Sequence, residues 1–263
     1  MVVFRNESGD NLCFFNCVMQ VLLCLHDETT STKCQFERIL RKLKSCQVET
    51  IANPKIILKF FEKHDWSNFF EPKEPHDFHE ALMFVLDVIK NDTFKGMMLD
   101  IIITTSKPTE RSTILNPFTT IELYPQHTDI YRCINHFFEV EYISGWRDTF
   151  KKEREIIKFQ TIVEFPRDLM FLVKQGYNKK TKIIYPSILQ TSKIDSTSCN
   201  INYLLRCVVV HKMYHFFCYI FENDKWILYN DDSRDFISND IEWRPSFSPY
   251  CLVYSEKKYI NKV

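Results

Sequence analysis

Apolar residues recur at helical spacing through the first third of the chain and at strand spacing through most of the rest. Phe14, Cys17, Val18, Val21, Leu22 and Leu25 trace one face directly after the polar turn Gly9-Asp10-Asn11, so a helix is predicted to begin at about Cys13. Residues 34–47 carry Phe36, Ile39, Leu40 and Leu43 among basic neighbours, the pattern of an amphipathic helix with a solvated face. Asn53 and Pro54 supply an N-cap and a first-turn proline for a helix to about residue 64. A loop rich in Pro, Asp and Glu follows over 65–76. From Asp77 a third amphipathic pattern (Phe78, Ala81, Leu82, Val85, Leu86, Ile89) runs to about residue 90, with Asp77 and Glu80 spaced as a capping-box variant. The first 92 residues thus read as almost wholly helical.

Beyond them the period changes. Segments 101–105, 118–124, 156–164, 169–173, 182–185, 203–211, 215–221, 225–229 and 249–254 are rich in β-branched and aromatic residues and bounded by turn residues, as strands are. Residues 128–140 are an exception and read as a short helix. With no internal repeat and no linker, helices first and strands later predict an α+β fold in one unit spanning 1–263.

The chain is long enough for a substantial core at 263 residues, and its 34 basic residues equal its 34 acidic ones. That balance gives no whole-molecule field for nucleic acid, and no nucleic-acid partner is expected. The apolar runs are far short of a membrane span and the first residues lack a signal core, so the expectation is a soluble monomer of the cytoplasm, with the nucleus as a second compartment, and without a membrane partner. Ten cysteines lie mostly in apolar segments with no framework of fixed spacings, which points to reduced thiols rather than staples. No Cys-x-x-Cys pair occurs, and no metal or other cofactor is expected.

Chemistry enters at Cys13. A cysteine at a helix N-terminus meets unpaired N–H groups and the positive end of the helix dipole, which favour the reactive thiolate. The same residue type is also a common small core hydrophobe, so Cys13 is a nucleophile only if the fold brings it a histidine. Of eight histidines, His211 and His215 bracket a tight connection between two strong strand segments. Residues 214–221 and 225–233 read as a β-hairpin with an Asn-Asp turn. If Phe221 pairs with Trp226, His215 shares a sheet face with Asn230, and Asp231 points to the other face. A one-residue slip reverses the choice, so Asn230 and Asp231 both stand as the orienting partner of a Cys13–His215 pair.

These residues resemble the ubiquitin-specific proteases, papain-like deubiquitinases. Cys13 with Asn11, Phe14, Asn16, Val18 and Gln20 is similar to their cysteine box. Tyr214-His215-Phe216 through Trp226 and Tyr229-Asn230-Asp231 is similar to their histidine box. The stretch from Pro75-His76-Asp77-Phe78 to Asp87 resembles the family's Gln-Gln-Asp helix start, and Phe165-Pro166 to Lys174 its Leu-Pro segment. The spaced residues Tyr203, Leu205, Cys207 and His211, and Tyr250, Leu252 and Tyr254, match strands before the histidine and at the domain's end. The matches run in family order from residue 11 to 254.

The resemblance implies a right-hand architecture with a thumb at about 1–92, fingers at about 93–160 and a palm at about 161–256. It implies hydrolysis after the C-terminal glycine of ubiquitin by way of a Cys13 thioester, with His215 as base, Asn230 or Asp231 as orienter, and ubiquitin or its conjugates as partner. It also implies that Asp77 holds the substrate tail, next to His76, Tyr214 and Phe216.

Departures from the family pattern narrow these expectations. Tyr214 stands where the family has glycine and Phe216 where it has tyrosine; Pro75 and His76 replace the two glutamines. The finger regions lack the paired cysteines, so fingers without zinc are expected. The family's oxyanion asparagine lies five residues before the cysteine, where this chain has Ser8. Asn6 and Asn11 are then the amide candidates, with Asn6 ranked slightly ahead. The alternatives are a ubiquitin-binding relative of weak or no activity, or a protease for another ubiquitin-like modifier.

Overall fold

The structure, a computed structural model, describes residues 2–7, 9–26, 35–46, 50–147, 152–174, 182–194 and 199–260. The chain divides into two compact units, one of Met1–Asp92 with Leu205–Val253 and one of Thr93–Leu204 with Tyr254–Val263. Helices and several sheets make it an α+β fold.

The first unit opens with β1 (Val2–Phe4), followed by helices α1 (Cys13–Leu25) and α2 (Gln35–Lys44). Then come β2 (Thr50–Ala52), α3 (Pro54–Phe61), α4 (Trp66–Phe69) and α5 (Phe78–Ile89). Eleven of the thirteen α1 residues are buried, as expected of a helix that is apolar nearly all round. Two buried amides tie it to β1: Gln20 Nε2 donates to the Val2 carbonyl at 2.9 Å and Asn16 Nδ2 to the Phe4 carbonyl at 3.4 Å. Its Phe14 and Phe15 pack against the rings of Phe61, Trp66 and Phe70, with Trp66 and Phe70 stacked at 4.1 Å. Helix starts follow the caps read from the sequence. Asn53 Oδ1 accepts from the Lys55 N–H at 3.0 Å, and Asp77 Oδ1 accepts from the His79 and Glu80 N–H groups at 2.7 and 3.1 Å.

Residues 2–92 are less helical than their periodicity suggested. β1 and β2 form a parallel pair, in register Val2 to Thr50. Three-residue strands leave no alternation to read, and their partners lie far apart in sequence. The 65–76 segment, read as loop, begins with the helical turn α4, held by packing of Trp66.

The second unit contains β3 (Gly96–Thr104), β4 (Lys107–Phe118), β5 (Ile121–Leu123), α6 (Ile130–Phe137), β6 (Glu141–Arg147) and β7 (Glu153–Glu164). Then come β8 (Asp168–Val173), β9 (Ile188–Gln190) and the first residues of β10 (Asn202–Lys212). An antiparallel sheet has the order β4-β3-β7-β6. Strands β4 and β6 were not expected: they are its edges, largely exposed and rich in polar residues, and so lack a buried alternation. Segment 182–185, expected as a strand, makes only a bridge from Ile184 to Asp129, and Pro186 follows it.

Strands β10, β11 (His215–Glu222), β12 (Lys225–Asn230) and β13 (Ser233–Ser238) return to the first unit as a run of antiparallel hairpins. Each connection has two residues, and each begins with a positive φ: Met213 at 57°, Asn223 at 49° and Asp231 at 52°. Asp224 is also positive at 57°, which makes the Asn-Asp connection a type I′ turn matched to strand twist. β14 (Cys251–Glu256) and a last helical turn, α7 (Lys257–Ile260), close the chain. Among the described residues, no helix is long and apolar enough to cross a membrane.

Candidate active site

Cys13 is the first residue of α1, and its N-cap Leu12 has no side-chain acceptor to offer the first-turn N–H groups. Those donors and the helix dipole are left for an acceptor from outside the helix. Cys13 is buried, at 6 % residue exposure, and its sulfur accepts from the Phe216 backbone N–H at 3.5 Å.

Hairpin registers place the other polar groups. Phe221 pairs with Trp226, so Asn230 lies diagonal to His215 on the same sheet face. His215 is the first residue of β11 and Asn230 the last of β12, which puts both at one end of the sheet. The His215 Nε2 lies 2.6 Å from Asn230 Oδ1, and the ring also hydrogen-bonds the Cys13 sulfur. The Cys13 contact, more than the Asn230 bond, raises the His215 pKa to about 9 against the desolvation of the half-buried ring. An imidazole held between a sulfur and an amide oxygen can store a proton at neutral pH and deliver it at a fixed position.

Asp231 acts on His215 through its charge, a smaller influence than the Cys13 and Asn230 hydrogen bonds. In the left-handed turn after β12 its carboxylate faces the other way, accepting from Asn6 Nδ2 at 2.9 Å and from Asn16 Nδ2 at 2.8 Å. Its backbone carbonyl accepts from the Phe4 N–H at 3.3 Å. Asn6 in turn accepts the Leu12 N–H at 3.1 Å. A chain of hydrogen bonds therefore runs from Asp231 through Asn6 to the residue before Cys13. The Asn11 amide is directed elsewhere, donating to the Lys73 carbonyl. Ser8 lies outside the described residues.

Asp77, besides capping α5, accepts through its second oxygen from the Tyr250 hydroxyl. Burial, then the adjoining Asp77 carboxylate, pushes the Tyr250 pKa far up. His76 Nε2 lies 2.8 Å from the Glu71 carbonyl, and its ring meets Phe14 and Phe70 edge-on. Phe216 is buried, stacked on His211 at 4.2 Å and edge-on to Tyr250. Tyr214, at 86 % exposure, stands with Met213 at the tip of the β10–β11 hairpin. Reasoning from sequence did not assign roles to Asn16, His211 or Tyr250. The one legible signal was Asn16, an amide one turn after Cys13 in an otherwise apolar helix.

The family model for ubiquitin carboxyl-terminal hydrolase matches residues 5–254. The chain belongs to that family. Among solved structures, a chain of the SAGA Ubp8/Sgf11/Sus1/Sgf73 DUB module bound to ubiquitin aldehyde is similar in fold. The TM-score is 0.75 at 16 % identity, over 98 % of this chain and 70 % of that one. No protein of curated function matches the sequence. The hydrolase-family match extends from just before Asn6 into the last strand, β14, so Asn6, Cys13, Asn16, Asp77, His215, Asn230, Asp231 and Tyr250 all fall within it.

Proposed function

We propose that the protein is a thiol-dependent deubiquitinase that cleaves the peptide or isopeptide bond after the C-terminal glycine of ubiquitin. The observation that carries this reading is His215, held between the Cys13 sulfur and Asn230 Oδ1 at one end of the β11–β12 hairpin. Cys13 Sγ attacks the glycine carbonyl, its proton passing to His215. The tetrahedral oxyanion is met by the Cys13 backbone N–H. His215 then protonates the leaving lysine amine as the C–N bond breaks and the thioester forms. In the second half, water gives a proton to His215 and adds to the thioester, and Cys13 leaves with the proton returned. Asn230 fixes the ring orientation through the Nε2–H throughout.

Asp231 is a positioning residue in this scheme. It orients Asn6, the preferred side-chain oxyanion donor, whose Nδ2 has a second hydrogen beyond the one given to Asp231. Asp77, with Tyr250 fixing one oxygen, supplies the acidic contact for a basic ubiquitin tail, flanked by His76, Phe216 and Tyr214. The ubiquitin aldehyde bound in the similar DUB module supports ubiquitin as the tag. In family terms we read residues 1–92 as thumb, 93–160 as fingers and 161–256 as palm.

A second reading, a ubiquitin binder of weak turnover, draws on the amides: Asn6 is engaged by Asp231 and Asn11 by Lys73. Hydrolysis of a ubiquitin C-terminal amide with a fluorescent leaving amine separates the two. Release of the fluorophore that disappears in Cys13→Ala supports the enzyme. Tight ubiquitin binding without release supports the binder.

A further inference from the structure

The catalytic proposal uses one cysteine of α1, but the helix carries three on one face. Cys13, Cys17 and Cys24 are four and eleven residues apart, close to one and three whole turns at about 3.6 residues each. Opposite them, β11 and β10 present Cys218 and Cys207. Cys17 hydrogen-bonds Cys218, and Cys24 hydrogen-bonds Cys207; all are free thiols.

The two pairs differ in surroundings. Cys17 and Cys218 are both buried, and burial pushes the Cys17 thiol well up, as for an inert core cysteine. Cys24 lines a cavity of about 380 Å³, together with Gln20, Lys44, Cys46 and Glu222. Arg206 Nη2 donates to its sulfur at 3.4 Å, and the same guanidinium is fixed by Nε–H donation to the Phe221 carbonyl at 3.0 Å. The bond from Cys207 and the Arg206 charge together bring the Cys24 thiol down to about 7, against its burial. Cys207, fully buried behind it, is pushed well up by burial. A cation-flanked thiol facing a cavity, with a second thiol in contact behind it, is the arrangement of an oxidation-sensitive pair.

We propose that Cys24 and Cys207 form a peroxide-oxidisable dithiol distinct from the Cys13 site, in which Cys24 meets the oxidant and Cys207 resolves it. The Cys24 thiolate attacks the O–O bond of a hydroperoxide. The O–O bond breaks, Cys24 becomes a sulfenic acid, and the departing alkoxide, or hydroxide from hydrogen peroxide itself, takes up the proton that Cys24 gave up on ionising and leaves as alcohol or water. Cys207 sulfur then attacks the sulfenic sulfur; the S–O bond breaks, the departing hydroxide takes the Cys207 proton as water, and the disulfide remains. Two thiols are oxidised and one peroxide is reduced.

The test is peptide mapping of the full chain under non-reducing conditions after treatment with a small excess of hydrogen peroxide near pH 7. The expected product is a Cys24–Cys207 linked peptide, reversed by dithiothreitol, formed equally in a Cys13→Ser background. Cys207→Ser should instead accumulate a Cys24 sulfenic acid that dimedone traps. Wild-type protein needs no variant for the second measurement, in which iodoacetamide alkylation of Cys24 should rise with pH through a midpoint of about 7. Arg206→Gln should slow that alkylation at neutral pH by about tenfold, the equivalent of one pKa unit. A disulfide from Cys24 to Cys46 or Cys13, or a pair that stays reduced while Cys13 and Cys46 are oxidised, would overturn the proposal.

Discussion

Replacing Asp231 by alanine should unfold the protein more readily than replacing its neighbour Asn230, although only Asn230 bonds the imidazole. Asp231 receives two amide donors, Asn6 at 2.9 Å and Asn16 at 2.8 Å. Hydrogen bonds to a charged group contribute about 1.5–3 kcal/mol each. The Asn16 amide is buried at 3 % exposure and would keep only its longer contact to the Phe4 carbonyl, whereas Asn6 is half-buried and can recover a water. Allowing for that recovery, D231A should cost about 2–4 kcal/mol, a large share of the 5–15 kcal/mol typical of a folded domain. N230A removes one hydrogen bond at the end of a strand and should cost about 1 kcal/mol or less in stability. Turnover reverses the emphasis. N230A should lose roughly 10- to 100-fold in kcat, since each 1.36 kcal/mol of lost orientation is tenfold. Urea denaturation gives the stabilities, and hydrolysis of the fluorescent ubiquitin amide gives kcat for whatever fraction is folded. If D231A is as stable as wild type, or N230A keeps full kcat while folded D231A loses it, the assignment of the two roles is wrong.

Other expectations concern separate parts of the molecule. Gly96→Ala should destabilise by about 1–3 kcal/mol in urea titration, because an added Cβ would sit 2.6 Å from the Phe118 ring and 2.7 Å from the Glu164 carbonyl oxygen. His215, raised when folded, contributes stability that is complete below its unfolded value of about 6.5 and is lost as pH rises through about 9. Solvent screening of the half-buried ring limits this to about 1–2 kcal/mol, and unfolding measured across that window should show the fall in wild type but not in His215→Ala. Tyr250→Phe removes the hydroxyl that fixes Asp77. It should raise KM for the ubiquitin substrate about three- to tenfold with kcat little changed, the loss of about one hydrogen bond's positioning.

Local signals accounted for the parts of the fold that local forces decide. The apolar stripes of α1 and α5, the caps Asn53 and Asp77 and the Asn223-Asp224 turn are each written within a few residues. One turn type then sets the β11–β12 register, and with it the shared face of His215 and Asn230. Strands β4, β6 and β13 were silent because a largely exposed edge strand has no buried face to pattern. The link from Asp231 to Asn6 and Asn16 joins residues more than two hundred positions apart and depends on the left-handed backbone at Asp231. Hairpin parity alone turned the Asp231 carboxylate away from the histidine once Phe221 paired with Trp226, but no local pattern pointed to the two amides that meet it there. Cys24 and Cys207 were similarly opaque, since each alone is an ordinary cysteine in an apolar segment.

In the proposed mechanism Cys13 is a nucleophile poised for the ubiquitin C-terminus. The most direct measurement of this is the intact mass of the protein after incubation with ubiquitin carrying a C-terminal electrophile. A single covalent adduct of one ubiquitin, mapped to Cys13, absent from Cys13→Ala and slowed in His215→Ala, is the expected result. No adduct, or one that persists in Cys13→Ala, would contradict it.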